Sequence, residues 1–540
     1  MLGVVAETRD MEIAAEFFEL FKTPWEPAVP GRSYRVVLNS SERAHGVDAK
    51  VMLMYGSTER SIDVQAGVTA LRTSSPTDVG FDTDRLPLYK GARFFEGRHE
   101  GGFLRSPHGS LIYRYASNDC TAWRIGYDLF EEAGELLRKG QPAANAQVPT
   151  LELHIAALRR LLVESEVPFV EVLPRPLGYD FTCCLTHDLD FVGIRRHGLD
   201  RTVGGFLARA SLGTLVDWLR RERSTSEAIE NWRAVATLPF VFLKVARDFW
   251  RPVEDYARAD GQRPSTYFVV PFKNRPGVSP GGTVNAARAV KYEAGDVEDD
   301  LQMAAADGRE LALHGIDAWR DSQAGGVEKG RVIALTGQRS VGVRMHWLYF
   351  AEQSPSELEK AGFAYDSTWG YNDAVGYRAG TSQVFRLPGT RNLMELPLAI
   401  MDTALLFRGR MGLGRDEALQ RCMRIVTDMD RFGGTLVVNW HDRSLAPERL
   451  WGATYEALLE ALSAGRSVWF ATATQAVDWY RWRRSLRFTS DSGCRLTVHA
   501  DRCDSTLPGA WLAVYGVTKG GARFVNNVSY VGDSSLRVEL

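Results

Sequence analysis

Four short segments of this 540-residue chain carry residue types that hold metal ions and move protons: Thr186-His187-Asp188-Leu189-Asp190, His314-Gly315-Ile316-Asp317, Arg344-Met345-His346-Trp347 and Trp440-His441-Asp442-Arg443. Asp188 and Asp190 stand two residues apart. Together with imidazoles from the other segments, they can divide the labour between holding a divalent cation and accepting a proton from activated water. Mixed nitrogen and oxygen donors with an open position suit zinc first and other first-row ions after it. Taken singly, each aspartate reads as a loop or N-cap carboxylate and each histidine as a satisfied core or surface ring. Their shared position in the chain pattern is what points to chemistry.

The flanking sequence predicts how these segments are held. From Phe181 onward, short apolar strands alternate with amphipathic helices, the mark of βα units and a parallel sheet. Strands are predicted at Phe181–Leu185, Thr266–Val270, Glu310–Leu313, Val341–Val343, Met394–Leu398, Leu436–Asn439 and Val468–Phe470. Helices are predicted at Val297–Asp307, Gln323–Leu335, Ser356–Ala361, Arg415–Arg431 and Pro447–Ala464. Each polar segment leaves the carboxyl end of a strand, where parallel α/β folds collect their functional groups. About seven such strands suit a closed or nearly closed (β/α) barrel. An oversized insertion, 193–262, is rich in Trp, Arg and Glu and predicts two or three helices.

Residues 1–174 mix strand-like runs (Tyr34–Leu38, Val51–Tyr55, Ser110–Tyr115) with helical patterns (Ala6–Phe21, Asp128–Lys139) and predict an α/β accessory domain without a phosphate loop. Helix Leu151–Glu164 leads into Leu173–Gly178, whose prolines and glycine read as a boundary loop. The predicted division is 1–174, a barrel domain at 175–484, and a small β appendage at 485–540 built on Cys494–Ala500, Ala510–Tyr515 and Ser535–Leu540.

Bulk properties set limits. The chain is longer than one hydrophobic core supports, so two or three domains are expected. Its 45% hydrophobic and 24% charged residues are ordinary for a globular protein. A formal charge of −2 and a pI near 6.6 give no overall attraction to nucleic acid or an anionic membrane. Cys120, Cys183, Cys184, Cys422, Cys494 and Cys503 show no C-x-x-C spacing, and the Cys183-Cys184 pair reads as small buried hydrophobes in a reducing compartment. Met1–Leu20 lacks the pattern of a signal peptide, which makes the cytoplasm the expected location. The most apolar central stretch, Ala234–Val245, is interrupted by Pro239, is too short to span a bilayer, and reads as a buried helix.

The segments T-H-D-L-D, L-A-L-H-G, G-V-R-M-H-W-L, G-F-A-Y-D-S-T-W-G-Y, M-E-L-P-L and V-N-W-H-D resemble, in order and spacing over about three hundred residues, the successive motifs of the polysaccharide deacetylase (NodB-homology, carbohydrate esterase) family. The resemblance implies a distorted (β/α) barrel and metal-dependent removal of an acetyl group from an N- or O-acetylated sugar. It implies Asp188 as general base, Asp190 and His314 as metal ligands, Arg344 as the partner that orients the base, and His441 as general acid. The family motif has a second histidine four residues after the first, where this chain has Ala318. His346 is the candidate for the missing ligand, with Asp317 and His187 behind it; beside Trp347 its ring could instead stack on a sugar.

Asp366, Tyr371, Arg378 and Glu395 are candidates for supporting hydrogen bonds around the site, and Trp347, Trp369, Tyr371 and Trp440 for packing on a pyranose ring. The expected function is therefore a zinc-type carbohydrate deacetylase acting on a saccharide or polysaccharide precursor, with glycan-assembly enzymes as possible partners. Two rival readings are a metal-independent glycoside hydrolase using Asp188 and Glu395, and a degenerate carbohydrate-binding protein.

Overall fold

The βα alternation after Phe181 builds one ten-stranded sheet in the computed structural model. The structure describes residues 1–41, 46–73, 76–96, 102–116, 120–198, 200–338, 340–490, 495–500, 506–517, 523–530 and 536–539. Cys494, Cys503 and the Ser535 and Leu540 ends of the last strand-like run lie outside the described residues.

The strands are β1 Phe181–Leu189, β2 Ser265–Val269, β3 Glu310–Gly315, β4 Val343–Met345, β5 Tyr365–Asp366, β6 Phe385–Arg386, β7 Met394–Glu395, β8 Ile400–Met401, β9 Thr435–Asn439 and β10 Val468–Phe470. They lie in the order β6-β7-β5-β4-β3-β2-β1-β9-β8, with β10 also paired to β1. Every pairing is parallel except β6 with β7. β1 to β3 are buried at every position, as strands covered on both faces must be.

Chain length forces this sheet to curl. β7 and β8 stand toward opposite ends of the strand order, yet only Leu396–Ala399 separates them, a link of at most about 18 Å. Laid flat, the intervening strand spacings would hold them about 34 Å apart. Leu396 N donates to Asp366 O (2.8 Å) and Ala399 N to Val437 O (3.2 Å), tying the link to both ends. No strand pairing joins β7 to β8 among the described residues, so the sheet is curled and open, whereas the sequence suggested a closed or nearly closed ring.

Helices at Glu298–Ala306, Ser322–Thr336, Ser354–Lys360, Arg415–Phe432, Gly452–Ser463 and Ala473–Ser485 flank the sheet. The helix expected from Pro447 starts at Gly452, because Leu450 takes a left-handed φ of 59° that no helix accommodates. The proline-bearing segment read as a boundary loop is instead an edge strand, Phe169–Pro176, paired with Ala510–Val517. Its ladder shifts register between Val172 and Pro176, the irregular edge position at which prolines are tolerated.

The N-terminal residues form a mixed six-stranded sheet and a second, antiparallel six-stranded sheet between Ala70 and Ser110. The strands of the second sheet, two to five residues long, left no clear period in the sequence. Apolar residues of both sheets share one buried cluster with Leu313, Val343 and Phe385 of the curled sheet. The insertion is helical at Arg201–Leu219, continuous through a π turn at Arg209–Gly213, and at Thr225–Phe242 and Pro252–Asp260. Asp200 caps the first of these, and a Ser224/Glu227 capping box starts the second. Within the stretch read as a buried helix, only Ala234, Leu238 and Val241 turn inward; Phe240, Leu243 and Val245 are 54, 70 and 77% exposed. The last turns of the helix, from Ala234, are apolar on both sides, but only one side is covered.

Arg483, fully buried on the last helix, staples the N-terminal residues to this frame. Its guanidinium donates to the carbonyls of Glu19 (2.9 Å), Leu20 (3.0 Å) and Val172 (2.6 Å). Arg483→Met removes the donors and strands these acceptors, so it should lower unfolding free energy by about 3 kcal/mol or more. Urea denaturation of variant and parent measures it.

Candidate active site

Because side chains alternate along a strand, Asp188 and Asp190 leave β1 on the same face. Both reach a cleft of about 310 Å3 at the carboxyl ends of the strands, together with His314, His346, Trp347, His441 and Asp442. Asp190 Oδ1 lies 3.3 Å from His314 Nε2 and 3.2 Å from His346 Nε2. Donor atoms of these three residues all fall within 4.8 Å of one another.

The chemistry of these atoms tests whether a cation fits. His314 Nδ1 is 3.0 Å from Arg344 O, a carbonyl that only accepts, so Nδ1 carries a proton and Nε2 is the ring nitrogen turned toward Asp190. Burial lowers the His346 pKa to about 3, which leaves that ring neutral. Asp190 Oδ1 is buried and has no hydrogen-bond partner. Burial pushes its carboxyl up, but the facing imidazoles outweigh this and hold it below the ordinary range. A buried carboxylate oxygen without a hydrogen-bond partner is costly in a protein interior. Two imidazole nitrogens and one carboxylate oxygen beside an open cleft fit a borderline divalent cation.

Asp188 sits next to this triad and is held differently. Arg344 Nη1 donates to its Oδ1 (2.9 Å) and Asn439 Nδ2 to its Oδ2 (2.8 Å). Burial raises its pKa, yet the Arg344 charge, followed by His314 and His441, brings it below the usual carboxylate value. Arg344 is itself fixed by Thr186 Oγ1 (2.8 Å), Ser367 O (3.1 Å) and Ser367 Oγ (2.9 Å). His441 Nε2 lies 3.9 Å from Asp188 Oδ2, and His314 Nε2 lies 4.0 Å from the same oxygen. The other ring nitrogen, Nδ1, is 2.6 Å from Asp402 Oδ1. Burial disfavours the imidazolium, but Asp402 first and then Asp188 and Asp190 outweigh it and raise the pKa to about 9. His441 is therefore protonated at neutral pH.

Trp347 and Leu348 both take left-handed backbone, φ 63° and 53°, a strained pair that sets the Trp347 ring, 38% exposed, at the cleft wall. Arg288 clamps this loop by donating to His346 O from Nε (3.2 Å) and Nη2 (2.8 Å).

Several expected residues lie elsewhere. Asp366 is fully buried and bonds to Thr368 N (3.1 Å), away from the cleft. Glu395 is fully buried and bonds to Trp369 N (2.9 Å); burial and then the Asp366 charge raise its pKa well above the ordinary range. It does not line the cleft that holds Asp188, so the two carboxyls do not face a common space there. Tyr371 donates to Gln141 O (2.8 Å), a tie to the N-terminal residues, and Arg378 donates to Gly370 O (2.8 Å) within its own loop; neither lines the cleft. Trp440 is buried against Tyr455 (5.2 Å), and Trp369 packs on Phe350 (5.0 Å).

His187 is a core histidine bonded to Asp260 (3.1 Å) and stacked on Tyr256 (3.7 Å), and Asp317 accepts from Val278 N (3.0 Å). Ala318 is buried against the following helix, where a methyl added at Gly325 would come within 3.2 Å of its Cβ. The sequence reading missed Asp402, Asn439 and Ser367. Asp402 follows a strand too short to show a period, and the other two sit inside quoted motifs without any charge to single them out.

No family model and no curated relative matches the chain. Similar solved structures include a protein assigned as a polysaccharide deacetylase from Mycobacterium smegmatis (19% identity, 58% of this chain and 95% of that one, TM-score 0.33). An assigned polysaccharide deacetylase from Pseudomonas aeruginosa PAO1 follows (17%, 56% and 92%, TM-score 0.34), and the PuuE allantoinase (16%, 57% and 93%, TM-score 0.35). At these values none of the likenesses bears on the chemistry of the site.

Two outcomes are expected. Elemental analysis after zinc reconstitution should find about one ion per chain, lost in His314→Ala and His346→Ala but kept in Asp317→Ala. In the metal-free protein, NMR titration should place the His441 ring near 9. Removing the raising charge in Asp402→Asn should bring that ring down toward or below the ordinary value of about 6.5.

Proposed function

We propose that the chain is a metal-dependent hydrolase that removes an acetyl group from an N- or O-acetylated sugar or polysaccharide precursor. The observation that carries this reading is the meeting, in one cleft, of a three-donor cation site with an arginine-held aspartate and an aspartate-held imidazolium. The motif resemblance points the same way.

Asp190, His314 and His346 would hold the cation, zinc in this proposal, which supplies Lewis acidity at the acyl carbonyl and activates water. Asp188 acts as general base. Its Oδ1 is tied to Arg344, and Oδ2, with only the Asn439 amide on it, faces the triad and takes the proton from the attacking water. His441 acts as general acid. Asp402 on Nδ1 holds the ring oriented and charged, so that Nε2 can protonate the leaving nitrogen or oxygen. Trp347 offers its exposed face to the sugar ring.

We further read the curled sheet as a distorted (β/α) barrel, and divide the chain into an accessory part at 1–174, the catalytic part at 175–484 and an appendage at 485–540. Glycan-assembly enzymes remain its proposed partners.

Acetate release from N-acetylated oligosaccharides tests the reading. Asp188→Asn should cut kcat at least about a hundredfold with metal content unchanged, and His441→Gln should do the same most severely for substrates with poor leaving groups. Undiminished turnover in Asp188→Asn would overturn the base assignment, and release of reducing sugar instead of acetate would overturn the reaction.

A further inference from the structure

The helical insertion carries an apolar face that no other part of the protein covers. Of nineteen large hydrophobic side chains exposed among the described residues, eleven lie between Leu207 and Val245. Exposure is thus concentrated on two helices rather than scattered as on an ordinary surface. On Arg201–Leu219, Val203, Phe206, Ala210 and Thr214 point inward at helical spacing. Leu212, Leu215 and Leu219 occupy the outer side, 70, 39 and 67% exposed. On Thr225–Phe242 the inward set is Ala228, Asn231, Ala234, Leu238 and Val241, and Trp232 and Phe240 face out, followed by Leu243. Trp218 and Trp232 meet edge to face, 6.3 Å between ring centroids, while both stay exposed, so the two stripes form one surface.

Cations border this surface. Between Arg201 and Arg247 eight basic residues stand against four acidic ones, in a chain whose formal charge is −2. Arg201, Arg220, Arg221, Arg233 and Lys244 are exposed and make no ion pair among the described residues. The acids Asp217 and Glu222 are engaged by Arg223 and Arg408. A second copy docked face to face would set this cationic border against itself. No helix of the described residues is long and apolar enough to cross a membrane. Leu, Trp and Phe beside unpaired Arg and Lys are the composition of helices that lie at the headgroup boundary of an anionic bilayer.

The same helices rest on the wall of the cleft. Ala446 belongs to the insertion's buried cluster, Asn231 Nδ2 donates to Pro447 O, and Trp250 Nε1 donates to Glu448 Oε1 (3.2 Å). Arg443, which lines the cleft, lies 3.6 Å over the Phe191 ring and 5.3 Å over Trp250. The loop that follows His441 therefore serves both as cleft wall and as the seat of the insertion.

We propose that the insertion docks the protein on an anionic lipid surface through this apolar, cation-bordered face, and, resting on the deacetylase reading, that the cleft works on an acetylated saccharide carried at that surface. Sedimentation with vesicles of phosphatidylglycerol and phosphatidylcholine tests the docking without assaying activity. The protein should pellet with the mixed vesicles, stay in solution with phosphatidylcholine alone, and be partly released by salt. A Leu212→Glu/Leu219→Glu/Leu243→Glu variant should partition at least about tenfold less. These side chains already face water, so its circular dichroism and metal content should match the parent. Arg220→Glu/Arg221→Glu should weaken binding mainly at low salt.

No pelleting with the mixed vesicles overturns the proposal, as does parental partition by the triple variant. A solution dimer that the same substitutions dissociate, without vesicle binding, also overturns it and assigns the face to a second copy. Vesicle binding and acetate release are read separately, so docking and deacetylation fail independently.

Discussion

A guanidinium buried in the middle of a sheet is tenable only if the sheet bends to meet it. Arg344 is fully buried on β4, lies 4.2 Å over the Phe268 ring of β2, and places its donors on Thr186 and Asp188 of β1 and on Ser367 just beyond β5. An unpaired cation there would cost several kcal/mol. Its pairing therefore fixes the spacing of β1, β4 and β5, keeps Asp188 ionised, and holds the carboxyl ends of the strands around one cleft. Its own backbone carbonyl accepts from His314 Nδ1, so one residue orders Asp188 through its side chain and a candidate ligand through its main chain.

The two aspartates on the same face of β1 show how surroundings divide labour between identical groups. Asp188 has a guanidinium and an amide on its two oxygens, whereas Asp190 Oδ1 faces only two imidazoles and has no hydrogen-bond donor. The first arrangement suits a carboxylate that gains and loses a proton, and the second one that shares its charge with a cation. His441 completes the set through Asp402, which directly follows β8. That dyad exists only because Leu396–Ala399 carries the chain from one end of the sheet to the other, so the charge on His441 rests on the curl of the sheet.

Much of this was legible in the sequence because parallel strands export polar residues at their carboxyl ends, and the segments after β1, β3, β4 and β9 did so openly. Ala318 broke the expected ligand pattern, yet His346 at the next strand exit stands in the triad, while Ala318 itself packs against a helix. Motif membership was a poor guide to where side chains point. Asp366, Tyr371, Arg378 and Trp440 lie in or near the polar loops, but none of them lines the cleft. Asp402 was unreadable for the opposite reason, since a two-residue strand has no period to reveal its exit. Prolines misled at Phe169–Pro176, because an edge strand tolerates what a central one cannot.

Whole-chain averages concealed the remaining feature. A near-neutral total charge coexists with a strongly basic stretch from Arg201 to Arg247, and an apolar run that would ordinarily be buried is apolar on both faces of a helix with neighbours on only one. The insertion has its own buried cluster on the inner face, and the outer leucines, tryptophans and phenylalanine take no part in it. Their position also matters mechanically. Ala446, Pro447 and Glu448 are gripped by the insertion, and Arg443 and His441, just upstream, face the cleft. The outer face of the insertion and the cleft wall at His441 are thus joined through one short segment, 443–448.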